Sequence, residues 1–251
     1  TTGARNVAVG RRALQENTTA ENNVAVGNSA LQLNETGEAN IAVGAASLDA
    51  NTTGDNNTAI GGNSLTTNTT ANNNTAVGFE SLKLNTTGAD NSAIGYRALC
   101  ANTTATENNA FGYEALRVNT TGCRNTAMGF QAGTAITTGD ENTFIGRKAG
   151  MGVTTTDNQT AIGSFALSGV VTGANNTAVG KSALAANTSG AHNVAVGCGA
   201  LASTTTSGEN TAVGFGALAT QNTGAPNSAF GNQSLCKLTT GSNNVGLGYR
   251  A

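Results

Sequence analysis

Residues 78–95 read Gly-Phe-Glu-Ser-Leu-Lys-Leu-Asn-Thr-Thr-Gly-Ala-Asp-Asn-Ser-Ala-Ile-Gly, which is one repeat closed by the glycine of the next. A glycine recurs every 17 residues from Gly10 to Gly248, fifteen times, without an insertion or deletion. So strict a period is typical of a stack in which every repeat, here called a rung, occupies an equivalent place. The pattern predicts an all-β parallel β-solenoid, or β-roll, of about fifteen 17-residue rungs. We expect this solenoid to be a single continuous domain over residues 1–251.

Several positions of the repeat are held by one residue type. Asn stands four residues before each glycine (the first asparagine row), with Gln159 as the exception. Ala stands two residues before it (the alanine row), except at Phe144 and Gly246. An apolar residue, usually Val or Ile, stands immediately before it (the branched row). Ala or Ser follows three residues after the glycine and Leu four after (the leucine row), except at Gly133 and Gly150.

The segment that ends at each glycine, such as Asn57–Gly61, is rich in β-branched residues and predicts one strand in each rung. Alternation places the branched row on one face of that strand and the alanine row on the other. We expect the branched and leucine rows to form the core, and the alanine row to be crowded by the opposite wall of the coil or by another chain. The segment Arg97-Ala98-Leu99 and its equivalents are either a second strand or a short helical turn, because Ala and Leu favour helix whereas the rung leaves little room.

The first asparagine row predicts a structural ladder, because stacked side-chain amides can hydrogen-bond to their neighbours above and below. The Asn-Thr-Thr-Gly segment that follows each Leu has the composition of a turn. The first eight members of the ladder are Asn6, Asn23, Asn40, Asn57, Asn74, Asn91, Asn108 and Asn125.

One stretch departs from the pattern. Gly150 replaces a Leu, and in the same rung Phe144 replaces the Ala. Ile136, Val153 and Val170 stand where the turn Asn is usual. We predict that Phe144 fills the volume that the missing Leu leaves.

Composition excludes several functions. The 12 basic and 14 acidic residues are sparse and balanced, so we expect no nucleic-acid partner. No apolar run is long enough to span a bilayer, so we expect no membrane insertion, and no signal peptide is visible. Because the chain begins and ends in mid-repeat without capping units, we expect it to be an excerpt of a longer fibre protein.

Residues for catalysis or metal binding are missing. His192 is the only histidine and lies in a predicted turn, so triads and metal centres lack their parts. We therefore expect no enzyme, no catalytic residue, no metal and no cofactor. The cysteines occupy positions too far apart to pair within the chain, which predicts free thiols at Cys100, Cys123, Cys198 and Cys236.

Four aromatic residues follow the glycines of four consecutive rungs, namely Phe79, Tyr96, Tyr113 and Phe130. We expect them to stack as an aromatic ladder. Such a ladder either offers ring faces to a glycan ligand or stabilises the stack through contacts between the rings.

The Thr-Thr pairs, such as Thr86-Thr87, suggest an ice-binding solenoid as an alternative. Adjacent residues of a strand point to opposite faces, however, and the pairs are interrupted at Glu35, Val171 and Asn222. The same segments contain Asn-x-Thr sequons, which carry glycans in a eukaryotic secretory route and are turn residues in a bacterial or phage fibre. These sequons lie at Asn51, Asn68, Asn85, Asn102 and Asn119.

The strand motif, seen at Asn6–Gly10 and Asn57–Gly61, resembles the repeat of YadA-like heads of trimeric autotransporter adhesins and the Asn-Thr-Ala-Val-Gly repeats of phage tail fibres. The unit here is longer and adds the Leu and the Asn-Thr-Thr-Gly segment. The resemblance implies left-handed β-rolls assembled as trimers that bind host matrix or cells. In such a trimer the alanine row is the expected face of close approach.

These observations together predict a structural shaft or adhesive segment of an extracellular or virion fibre. The expected partners are further copies of the chain, as a homotrimer or filament, and a cell-surface or glycan receptor. The expected location is extracellular, on a cell surface or a virion. The alternatives are an ice-binding solenoid and a glycan-binding fibre.

Overall fold

The computed structural model describes residues 3–221 and 223–251 and confirms the parallel β-solenoid with one strand in each rung. No helix occurs in these residues. The chain divides into two compact units, one that ends at Asn125 and one that begins at Thr126.

Each unit contains short strands in chain order. The strands of the first unit are β1 (Val7–Val9), β2 (Val24–Val26), β3 (Ile41–Val43), β4 (Thr58–Ile60), β5 (Thr75–Val77), β6 (Ser92–Ile94) and β7 (Asn109–Phe111). The strands of the second unit are β8 (Thr126–Met128), β9 (Thr143–Ile145), β10 (Thr160–Ile162), β11 (Thr177–Val179), β12 (Val194–Val196), β13 (Thr211–Val213), β14 (Asn227–Phe230) and β15 (Asn244–Leu247).

Within each unit, consecutive strands pair in parallel and in register. In the first unit Ala76 lies between Ala59 and Ala93. In the second, Ala161 lies between Phe144 and Ala178. Each row of the sequence is therefore a physical row on one wall of its unit.

The core differs from the expected one. The alanine row is fully buried from Ala25 onward, together with most of the leucine row, whereas Ile60 and Ile94 of the branched row are 40% and 39% exposed. A Cβ added at Gly246, which stands in the alanine row, would contact Leu235. The alanines are thus crowded by the opposite wall of the same coil, and the prediction that the branched row fills the core is wrong.

This inversion has a physical reason. A 17-residue coil leaves little width between its walls, so a methyl group fits opposite the leucine and a branched side chain must point outward. The expected approach of three chains at the alanine row is also wrong, because that row is enclosed within one chain.

The segment after each glycine is neither a second strand nor a helical turn. It forms two successive turns, in which the Ala98 N–H donates to the Gly95 carbonyl at 3.3 Å and the Asn102 N–H donates to the Leu99 carbonyl at 3.1 Å. Arg97 and Leu99 adopt left-handed φ values of 53° and 50°. A left-handed conformation costs an ordinary residue about 1–2 kcal/mol, whereas full burial of a Leu side chain contributes about 1.5–3 kcal/mol. Burial therefore outweighs the conformational cost at the leucine row.

The glycine row is required by the backbone. Its members adopt φ values from 124° to 143°, a region that side chains rarely enter. A Cβ on Gly61 would also lie 2.7 Å from the carbonyl carbon of Gly78 in the next rung. By contrast, a Cβ on the adjacent Gly62 would meet only the Phe79 ring at an ordinary 3.5 Å.

We predict that Gly61→Ala lowers the free energy of unfolding by at least about 2 kcal/mol, because it combines backbone strain with overlap between rungs. Gly62→Ala should leave stability within about 0.5 kcal/mol of the parent. Thermal unfolding followed by circular dichroism compares the two variants. Equal melting temperatures for both would contradict this account of the glycine row.

The irregular stretch lies in the second unit. Phe144 is fully buried, and a Cβ built on Gly150 would overlap its ring, so the predicted compensation between Phe144 and Gly150 is confirmed. The expected position of Val170 is corrected, because Val170 is 66% exposed and Val171 is buried instead. Val171 pairs with Val153, and the chain shifts by one residue at this point.

We predict that Phe144→Ala destabilises the protein by about 3–5 kcal/mol through the cavity it leaves. Adding Gly150→Leu should recover part of this loss, since Leu167 and Leu184 occupy the same position of the repeat at φ values of 49° and 50°. Thermal unfolding of the single and double variants tests the coupling. Phe215→Ala, at an exposed position, is the control. A double variant no more stable than Phe144→Ala would refute the compensation between Phe144 and Gly150.

Candidate functional site

The first asparagine row is buried and its side-chain amides are fully used. The Asn74 Oδ1 accepts the backbone N–H of Asn91 at 3.0 Å, and the Asn74 Nδ2 donates to the Gly88 carbonyl at 2.9 Å. The Asn74 N–H donates to the Oδ1 of Asn57 at 3.0 Å. The same link from amide oxygen to the next backbone N–H runs through the first unit from Asn6 to Asn125, by way of Asn23, Asn40, Asn57, Asn74, Asn91 and Asn108.

A second asparagine row, seven residues after each glycine, also lies inside the coil. The Asn85 Nδ2 donates to the Gly88 carbonyl at 2.9 Å and to the Oδ1 of Asn68 at 3.0 Å. The Gly88 carbonyl thus accepts hydrogen bonds from both rows. The Asn-Thr-Thr-Gly segment predicted only a turn for these asparagines, although the recurrence of Asn at this position in the first seven rungs was an available signal of burial.

Burial changes the interpretation of the sequons. Asn51, Asn68, Asn85, Asn102 and Asn119 all belong to the second asparagine row and are fully buried. Their amide nitrogens donate to carbonyls inside the coil. In the folded protein these side chains are inaccessible to a glycosylating enzyme.

Three residues of the predicted aromatic ladder stack in the first unit. The Phe79 and Tyr96 ring centroids lie 5.8 Å apart at an interplanar angle of 12°, and those of Tyr96 and Tyr113 lie 5.1 Å apart at 13°. Rings therefore oppose both faces of Tyr96. Phe130 is an exposed residue of the second unit.

Charged side chains border this stack. The Glu80 carboxylate pairs with the Lys83 ammonium at 2.7 Å and with the Arg97 guanidinium at 3.2 Å. Glu114 and Arg117 form a looser pair at 3.8 Å. The residues that follow the glycines in these rungs, here called the corner, thus form an aromatic stack beside acidic and basic side chains that pair with one another. This arrangement favours structural stabilisation over the stacking of sugars on ring faces.

The threonine pairs do not present a free hydroxyl lattice. The first Thr of several pairs donates to the carbonyl of its equivalent in the next rung, as Thr52 does to Thr69 at 3.1 Å and Thr86 to Thr103 at 3.0 Å. Of the predicted interruptions, Glu35 is exposed, Val171 is buried, and Asn222 lies outside the described residues. Because these hydroxyls are hydrogen-bonded to the next rung, the threonine pairs do not favour an ice-binding surface.

The outer sheet face, which comprises the residues one and three positions before each glycine, was not predicted from the sequence. In the first unit it exposes Val9 and Ile60 at 57% and 40%. In the second, Ile145 and Phe230 are likewise exposed. Neither position carries a charged residue in any of the fifteen rungs. That absence of charge from two alternating positions was the available sequence signal.

Other candidate groups are dispersed. Within residues 3–221 and 223–251 no cluster of three or more His, Cys, Asp or Glu could hold a metal ion. His192 is exposed in a turn. Cys100, Cys198 and Cys236 are free thiols, and the Cys123 sulfur accepts the Thr106 N–H at 3.4 Å. The described part of the chain also contains no helix that is long and apolar enough to cross a membrane. No protein-family model, curated protein or solved structure matches this chain at a significant level.

We predict that Tyr96→Ala lowers the free energy of unfolding by about 1 kcal/mol, because it removes ring contacts on both sides. Tyr96→Phe, which keeps the ring, should retain parental stability. Thermal unfolding measures both variants, and a glycan array probes binding in parallel. Unchanged melting of Tyr96→Ala combined with loss of a glycan signal would instead identify the ladder as a binding site.

Proposed function

We propose that this chain is a structural segment of an extracellular or virion fibre, a shaft or an adhesive segment, and that it assembles with further copies of itself. The observation that carries the proposal is the outer sheet face. In each unit this face is an uncharged strip, apolar in the row immediately before the glycines and a mixture of Thr, Val and other uncharged residues in the row two residues earlier.

The dimensions of this strip support a macromolecular contact. Seven strands spaced about 4.8 Å apart give the strip of the first unit a length of roughly 30 Å. The row immediately before the glycines is apolar in every rung, and exposed apolar surface of this kind is typical of an interaction site. A second copy offers the same uncharged surface, so association would remove both strips from water at no cost in buried charge.

The distribution of charge supports the same assignment. Charged residues are concentrated at the corners that precede and follow the strand segment, as at Arg11, Arg147, Asp55 and Asp140. A fibre of this kind would turn its corners outward for solubility or receptor contact and its strips inward. The resemblance to the heads of trimeric adhesins favours three copies.

We expect the parent protein to sediment as a stable oligomer at micromolar concentration. Replacing Ile60 and Ile94 together by Lys should produce a monomer, because the two charges would be buried at the contact. Sedimentation equilibrium gives the mass of each species, and circular dichroism shows that the fold persists.

The control is Ala45→Lys, which places one charge at a corner position where Lys181 stands in another rung. This variant should keep the parental mass. A monomeric parent, or an Ile60→Lys/Ile94→Lys variant of parental mass, would refute assembly through the outer sheet face.

A further inference from the structure

A surface groove in the second unit arises from two missing side chains. Gly199 and Gly216 stand two residues after the glycine in consecutive rungs, where every other rung carries a side chain. Together with Cys198, Ala202, Phe215 and their neighbours they line one groove, here called the Gly199 groove.

The backbone does not require these glycines. Gly199 and Gly216 have φ values of 68° and 60°, and Ser182 and Gln233 adopt 56° and 55° at the same position of neighbouring rungs. A Cβ on Gly199 would meet nothing within 4 Å, and one on Gly216 only the Gln233 Cγ at 3.7 Å. The two glycines therefore matter here because the absence of their side chains leaves the space open.

The walls of the groove are apolar. Phe215, whose side chain is 54% exposed, stands on one side with Cys198, and the methyl groups of Ala202 and Ala219 line the other. Two rungs span roughly 10 Å. A rigid system of two fused rings is about this long, so a planar aromatic group of this size spans the groove.

One charged side chain, that of Lys237, lines the groove. This side chain is exposed and makes no ion pair in the part of the chain that the structure describes. The Thr220 hydroxyl is already used, because it donates to the Cys236 carbonyl at 2.6 Å. An ammonium beside an apolar surface favours a ligand that combines a ring with a single negative charge.

We propose that the Gly199 groove binds a small planar aromatic anion, with the rings against Phe215 and the two alanines and the anionic group at Lys237. This site is separate from the outer sheet face, and the proposal holds whether or not the chain forms a fibre.

The test uses the full chain and 2-naphthoate, titrated by saturation-transfer NMR. The expected dissociation constant is on the order of 1 mM or tighter for a ligand of this size. The Gly199→Ser/Gly216→Gln variant restores the side chains of the neighbouring rungs and fills the groove. It should weaken binding at least tenfold while its melting temperature stays near that of the parent.

Lys237→Gln keeps the groove and removes the charge, so it should weaken 2-naphthoate several-fold and leave the neutral 2-naphthalenemethanol unaffected. Lys181→Gln, which removes an exposed lysine that does not line the groove, is the matched control and should bind like the parent. Absence of saturable binding to the parent would overturn the proposal. So would parental affinity in the filled variant, which would place the ligand elsewhere, for instance on the outer sheet face.

Discussion

The structure depends on buried amide hydrogen bonds between rungs. Each interior Asn of the first row links its side chain to the backbone of the adjacent rung, and the second row meets it at a shared carbonyl such as that of Gly88. A slip of one residue would leave buried donors and acceptors unpaired, at about 1–3 kcal/mol for each. The same penalty applies in every rung, which explains why the repeat is held at 17 residues.

The irregular stretch of the second unit supports this explanation. The chain shifts by one residue at Val170 and Val171, where the second asparagine row is replaced by Ile136, Val153 and Val171. Apolar side chains have no hydrogen bonds to lose, so the backbone can move there. The first row continues through Gln159, which reaches the Gly173 carbonyl at 2.8 Å, and it restores the frame in the following rung.

The narrow interior also determines what the surface offers. Alanine, asparagine and leucine fill the space between the walls, so the Val and Ile side chains of the strands point to solvent. Large apolar residues are therefore found both inside, as the leucine row, and on the outer face of the strands, as Val and Ile. The surface is consequently divided into uncharged strips on the sheet and charged or aromatic corners, and the proposed assembly uses the strips.

The sequence by itself determined the period, the parallel strands, the asparagine ladder, the stacking of Phe79, Tyr96 and Tyr113 and the exchange of volume at Phe144. All of these follow from which residues recur at equivalent places in a stack. Only the tertiary structure decided which face of the strand is buried, because alternation separates Ala from Val but does not say which of the two lies inside. It also decided the path after each glycine, where buried leucines adopt left-handed conformations that their helix propensity does not predict, since burial there outweighs local preference.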